Sequence, residues 1–225
     1  MIFDPTYLIF VLLPSVIIAW WAQAKVKNAF TKYSEIQTAA NLTGAEAARV
    51  ILDRNGLTNV DIKKTRGWLG DYYDPVKKEL RLSESVFDQT SIAAVGIAAH
   101  EAGHALQQAA GYIPLSLRNA VVPMAAMTNL AWPLIIIGLI FHIFALIYIG
   151  IIFYFVVVVF QLINLPVEYN ASNRAKKALV ECGVVNVAEA EGVREVLSAA
   201  ALTYVAAALG AILQLLYLIG LARRN

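Results

Sequence analysis

The sequence predicts a mainly α integral membrane protein of about four transmembrane helices, with a small α+β domain built from the polar segments between them. Three observations lead there. Hydrophobic residues make up 59% of the 225 residues and charged residues 15%, against roughly 45–50% and 25% in ordinary globular chains. The charges are missing from whole stretches: 49 consecutive residues, Asn119–Val167, carry none, residues 196–222 carry none, and Asp4 is the only one before Lys25. Each such stretch exceeds the ~20 residues that cross a bilayer's hydrocarbon core. Third, what remains polar is rich in helix caps, turns and alternating strand patterns.

The first span runs from about Tyr7 to Ala22, with Trp20 and Trp21 at its end in the manner of interfacial aromatics. The opening "MIFDPTYLIF" has no basic segment and no A-x-A site follows it, so residues 1–24 read as a retained anchor rather than a cleaved signal. The 49-residue block suits two spans, roughly 118–140 and 144–165, turning near Phe141–His142. Pro123 and Pro133 are expected to kink the first of these, because proline removes a helix hydrogen bond. A fourth span covers 198–221, inside a C-terminal segment 198–225. An even number of crossings separates residues 25–117 from residues 166–197, which places both on one side. Of the 18 Lys and Arg residues, all but Arg223 and Arg224 fall there, counting Arg118 at the edge of the second span. The excess of positive charge then assigns that side to the cytoplasm, in the cell (inner or plasma) membrane.

In the larger polar region, "TGAEAARVILDRNGL" reads as a helix with a Thr43/Glu46 capping box and Gly56 just past its end. "NVDIKKTRG" and "KKELRLS" read as two strands separated by the Asp74–Pro75 turn, giving a small sheet. A helix of about 91–109 follows. In the second region Pro166 is placed to begin a helix ending near Gly183, and Asn186 with Glu189 caps another that continues into the fourth span.

The helix at 91–109 contains "AAHEAGHALQ". His100 and His104 are spaced i, i+4, so both imidazoles project from one face and reach one tetrahedral zinc. Glu101 lies about 100° around the helix, off the ligand line yet near enough to act as general base on a zinc-activated water. Gly103 costs about 1 kcal/mol of helix propensity relative to Ala, which implies close packing or substrate approach. A zinc hydrolase needs a third protein ligand and an open fourth position. Gln107 and Gln108 follow where an extended motif would carry another histidine, and His142, in the apolar block, reads as an interfacial or packed residue. Glu168, in "LPVEYNASNRA" just after the third span, is the strongest candidate, since an unpaired carboxylate beside an apolar run is costly. Glu181, Glu189, Glu191 and Glu195 fit solvated helix faces. Asp71, Tyr73 and Arg174 are candidate substrate or oxyanion contacts. A turn before a strand explains the first two equally well, and a juxtamembrane basic residue explains the third. "ELRLS" is a candidate edge strand for an extended peptide.

"TGAEAARVILDRNGL", "DYYDP", "LRLSESVF", "SIAAVGIAAHEAGHALQ", "LRNAVVPMA" and "LPVEYNASNRA" together resemble the YugP-type membrane zinc metallopeptidases of bacteria, among the HtpX-like gluzincins. The resemblance covers nearly the whole chain and is weakest in its first 30 and last 25 residues. It implies a gluzincin-type zinc-peptidase domain with one Zn2+ per chain, His100, His104 and Glu168 as ligands and Glu101 as base. Two positions depart from the family pattern. Tyr72 in "LGDYYDP" replaces a histidine, and Asn170 in "EYNAS" replaces an acid. If that acid orients a ligating histidine, this chain uses a weaker or different group.

The expectation is a membrane-embedded zinc-dependent endopeptidase acting on membrane or membrane-associated polypeptides. The rival is a non-proteolytic membrane adaptor with a structural or absent metal. A net charge of +2 gives no case for nucleic acid, and the single Cys182 excludes an intrachain disulfide and a Cys-rich zinc cluster. The absence of acids or bases in the middle spans counts against an ion pathway. Substrate identity and oligomeric state stay open.

Overall fold

The computed structural model describes residues 4–66 and 70–224. Residues 5–34 are one helical run: α1 (Pro5–Tyr7), a π-helical stretch (Leu8–Leu12) and α2 (Leu13–Ser34). Then come α3 (Gly44–Arg54), β1 (Asp61–Thr65), β2 (Tyr72–Asp74), β3 (Glu79–Ser83), α4 (Glu84–Phe87) and α5 (Ile92–Ala109). The remainder is helical: α6 (Ile113–Met127), a 3-10 turn (Thr128–Leu130), α7 (Ala131–Ile140), α8 (Phe144–Glu181) and α9 (Val187–Arg224). These elements divide into two compact units, to which α2, α8 and α9 each contribute residues in both.

One unit comprises the residues up to Ala22, Ile113–Pro166 and the residues from Leu202 onward. Its helices wear their apolar side chains outward. Ile9, Phe10, Ile17 and Phe155 are all more than half exposed, an arrangement that lipid, not water, stabilises. Three helices are long and apolar enough to cross a membrane, and a bent pair formed by α6 and α7 makes a fourth candidate. The expected single span at 118–140 is thus a bent pair of helices, Ile113–Met124 and Thr128–Ile140, at 44° to each other, with the break just beyond Pro123. The expected turn near Phe141–His142 is present, with His142 at φ 54°. Asp4, the lone charge of the first span, is not left bare: it accepts from Tyr217 Oη at 2.8 Å and from the Thr6 amide at 2.9 Å.

The other unit comprises Gln23–Tyr112 and Val167–Ala201. Here α3 forms as its sequence dictates, with both halves of the Thr43/Glu46 capping box made and Gly56 at φ 74° after its last turn. Ala47, Ala48, Ile51 and Leu52, one stripe of that helix, are fully buried with Leu80, Leu82, Val86, Val95 and Leu179. The sheet has three strands in the order β1-β3-β2, parallel between β1 and β3 and antiparallel between β3 and β2. Two expectations are corrected. "DYYDP" forms the short strand β2, not only a turn, and the candidate edge strand "ELRLS" is β3, the central strand, paired on both sides. The strand reading of residues 59–67 holds for Asp61–Thr65, and Gly67 lies outside the described residues.

Pro166 does not start a helix. It sits inside the continuous 38-residue α8. Proline deletes the one bond its nitrogen would have given to the Leu162 carbonyl, and a long helix absorbs that single loss as membrane helices commonly do. α9 is continuous as anticipated, opened by reciprocal bonds between Asn186 and Glu189.

Candidate metal centre

The site lies within the second unit and is assembled from α5 and the Val167–Glu181 part of α8. Ser91 caps α5 by accepting from the Ala94 amide, and thirteen of the helix's eighteen residues are buried. Its alanines and Gly103 thin the surface that meets α8. A Cβ on Gly103 would lie 2.6 Å from the Ala171 carbonyl oxygen, so only glycine permits this approach. Close packing is therefore what the costly glycine serves.

The approach brings three sequence-predicted residues together. His100, His104 and Glu168 each offer a ligand atom, all within 4.8 Å of one another. Glu168 Oε2 lies 3.2 Å from His100 Nε2 and 3.7 Å from His104 Nε2. A tetrahedral zinc with bonds of about 2.0–2.1 Å holds its donor atoms roughly 3.4 Å apart, close to the two distances from Glu168. The donor set fits as well, since two imidazoles and one carboxylate leave a fourth position open. Glu168, 3% exposed, and His104, 8% exposed, are shielded from water.

The second nitrogen of each imidazole is also engaged. Ser172 Oγ lies 3.1 Å from His100 Nδ1, and Gln107 Oε1 lies 3.0 Å from His104 Nδ1. Both rings thus present Nε2 to Glu168. Sequence reasoning passed over Ser172 and Gln107. The signal was available in their spacing, since Gln107 is i+3 from His104 and Ser172 is i+4 from Glu168.

Glu101 is part-buried beside the cluster. Burial pushes its carboxyl up to about 7, and the charges of Glu168 and Asp71 add to that rise. The His100 charge and a hydrogen bond from the Tyr73 backbone oppose it. For His100, burial works against the charged ring, but the Glu168 hydrogen bond and the Glu101 and Glu168 charges together raise its pKa.

The remaining candidates have identifiable tasks. Asp71 accepts from the Ser83 amide at 2.7 Å and from Ser83 Oγ at 3.0 Å, tying the start of β2 to the end of β3. Burial raises its carboxyl and the Ser83 bonds pull the other way. Tyr73 Oη donates to Gln108 Oε1 at 2.5 Å, and Gln108 Nε2 donates to the Pro75 carbonyl, so β2 is pinned along α5. Arg174 Nε donates to Asn170 Oδ1 at 2.8 Å, and its guanidinium lies 6.0 Å from the centre of the Tyr112 ring. Glu181 and Glu191 form surface ion pairs with Lys177 and Arg194, and Glu195 pairs with Lys32. Glu189 caps α9. Cys182 is free and packs partly buried against the core.

Comparison with known proteins decides the family. Residues 7–223 match the family described as "Putative neutral zinc metallopeptidase". The chain belongs to this zinc metallopeptidase family. It is 46% identical over 209 residues to the "Putative membrane protease YugP" of Bacillus subtilis (strain 168), covering 92% of this chain and 93% of that protein. No solved structure matches it. A metallopeptidase family agrees with a cluster of two histidines and a glutamate, and a membrane protease as relative agrees with the apolar helices.

Proposed function

We propose that this chain is a membrane-embedded zinc-dependent endopeptidase that hydrolyses peptide bonds of membrane or membrane-associated proteins. His100, His104 and Glu168 hold one zinc ion per chain, and Glu101 is the general base. The observation that carries the reading is the convergence of these three ligand atoms, from α5 and α8, beside a carboxyl held near neutrality. When bound, the metal supplies a Lewis acid for the scissile carbonyl and acidifies a water molecule. Glu101 takes that water's proton at its carboxylate and delivers it to the departing amine nitrogen. A pKa close to the working pH suits a group that must both accept and return a proton.

Substrate placement follows from the sheet. β3 has no free edge, whereas β2 has one and is fastened to α5 by Tyr73 and Gln108. An extended peptide adding to β2 would lie along the helix that carries His100 and Glu101. Asp71 and Tyr73 then act by fixing β2. The charge asymmetry of the polar segments supports a cytoplasmic active site in a multi-pass cell-membrane protein. Glu168 stands just beyond the uncharged part of a continuous helix, which supports chemistry at the bilayer surface.

The test compares full-length wild type with Glu101→Gln in detergent, measuring bound zinc and cleavage of casein and of a membrane-protein substrate. Retained zinc with cleavage lost supports the proposal. Equal cleavage by both proteins refutes the role of Glu101. Zinc bound by a wild type that cleaves neither substrate favours an adaptor with a structural metal.

A further inference from the structure

Gln107 is fully buried, with no exposed surface, and a buried primary amide is costly unless its hydrogen bonds are made. Here they all are. Its Oε1 faces His104 Nδ1 at 3.0 Å, and its Nε2 donates to the Val167 carbonyl at 2.7 Å and to Asn170 Oδ1 at 3.1 Å. Two N–H groups and one oxygen each have a partner, so the amide has one satisfied orientation. Turning it over would set its oxygen against the Val167 carbonyl, which can only accept.

Asn170 is oriented in the same way. Arg174 Nε, which can only donate, meets Asn170 Oδ1 at 2.8 Å. That oxygen is therefore the acceptor for Gln107 as well. The direction of every bond in the chain is set by its two ends, an arginine that cannot accept and a peptide carbonyl that cannot donate. What emerges at the metal end is an acceptor, Gln107 Oε1, against His104 Nδ1.

We propose that Gln107, held by Val167, Asn170 and Arg174, is a positioning residue that locks His104 as its Nδ1–H tautomer and so leaves the Nε2 lone pair for the metal. The proposal rests on the metal-binding reading above. It adds that affinity depends on a hydrogen-bonded chain running through Asn170 to Arg174. A histidine ligand is ordinarily fixed through its second nitrogen, and loss of such a partner weakens metal binding by roughly 10–100-fold.

The test uses the full-length protein in detergent, with zinc affinity measured by competition against a chromophoric chelator. Gln107→Met, which keeps the length but loses donor and acceptor, is expected to weaken zinc about 10–100-fold. Selective 15N-histidine labelling gives a readout that needs no variant, because the chain has only three histidines. In metal-free wild type at mildly alkaline pH, His104 carries its proton on Nδ1. In Gln107→Met the ring also populates the Nε2–H form. A wild-type Nε2–H tautomer, or an unchanged zinc affinity in a folded Gln107→Met, overturns the inference while leaving the metal site standing. A wild type that binds no zinc overturns both.

Discussion

Replacing Gly103 by alanine sets two effects against each other. On an isolated helix the change is favourable by about 1 kcal/mol, because glycine gives up more backbone freedom. In this structure the new methyl carbon would sit 2.6 Å from the Ala171 carbonyl oxygen, 3.2 Å from its carbon and 3.3 Å from its Cα. All three are backbone atoms of α8, which cannot rotate aside. Ordinary contact begins near 3.4 Å, so relief requires α5 and α8 to part locally by roughly 0.8 Å. Overpacking of this kind costs about 1–3 kcal/mol, enough to cancel or exceed the propensity gain. The larger consequence falls on the ligands. Metal–ligand distances tolerate only about 0.2 Å, and the two helices that must part are those carrying His100 and His104 on one side and Glu168 on the other. We expect Gly103→Ala to bind zinc at least about tenfold more weakly while remaining folded. Chelator competition measures the first and denaturant unfolding in detergent the second. A variant that is more stable than wild type and binds zinc equally well would refute the packing argument.

Further predictions follow from the same geometry. Thr43→Ala removes the α3 cap and is expected to cost about 1 kcal/mol of stability, read by unfolding, with zinc affinity unchanged because α3 carries no ligand. Asp71→Ala strips the Ser83 amide of its acceptor and should cost about 1–3 kcal/mol. Cleavage kinetics should show a raised KM as β2 loosens, and Asp71→Asn, which keeps an acceptor, should recover most of it. Glu168→Gln keeps a weak oxygen donor but removes the one anionic ligand, so metal analysis is expected to find little bound zinc. Treatment with a strong chelator should abolish cleavage, and stoichiometric zinc should restore it.

Much of the candidate site was legible because its signals are local. The i, i+4 histidines with Glu101, the Thr43/Glu46 capping box and the Asn186/Glu189 cap are all set within one or two helical turns. Glu168 was reachable by cost, since a carboxylate next to an apolar run demands a partner. The misses have physical reasons too. Pro166 carries a helix-start signal, but a rod already propagating from Phe144 loses only one bond there and does not stop. β2 is three residues long, too short for an alternating pattern, and is held by Asp71 before its first residue and by Tyr73 at its centre. The centre of the sheet was misjudged because strand order depends on the parallel pairing of β1 with β3, which no local turn encodes. Gly103 announced a close approach, but its partner, the Ala171 carbonyl, is 68 residues away.

The resemblance read from the sequence implies an acid where this chain has Asn170. An acid oriented directly on a ligating histidine would leave this chain deficient. Asn170 instead stands one step back, as the acceptor shared by Gln107 Nε2 and Arg174 Nε. Both donors reach a single oxygen, Oδ1, and an asparagine offers that oxygen as well as an aspartate does. What asparagine lacks is the charge, and nothing in the chain requires it, because Arg174 and the Val167 carbonyl already dictate which way each amide points. The substitution therefore removes a negative charge near the ligands without removing a hydrogen bond. In the proposed site Glu168 is the sole anionic ligand, so a bound dication would keep a formal charge of about +1. That residual charge would polarise a peptide carbonyl, so the amide at 170 is compatible with the proposed peptide hydrolysis.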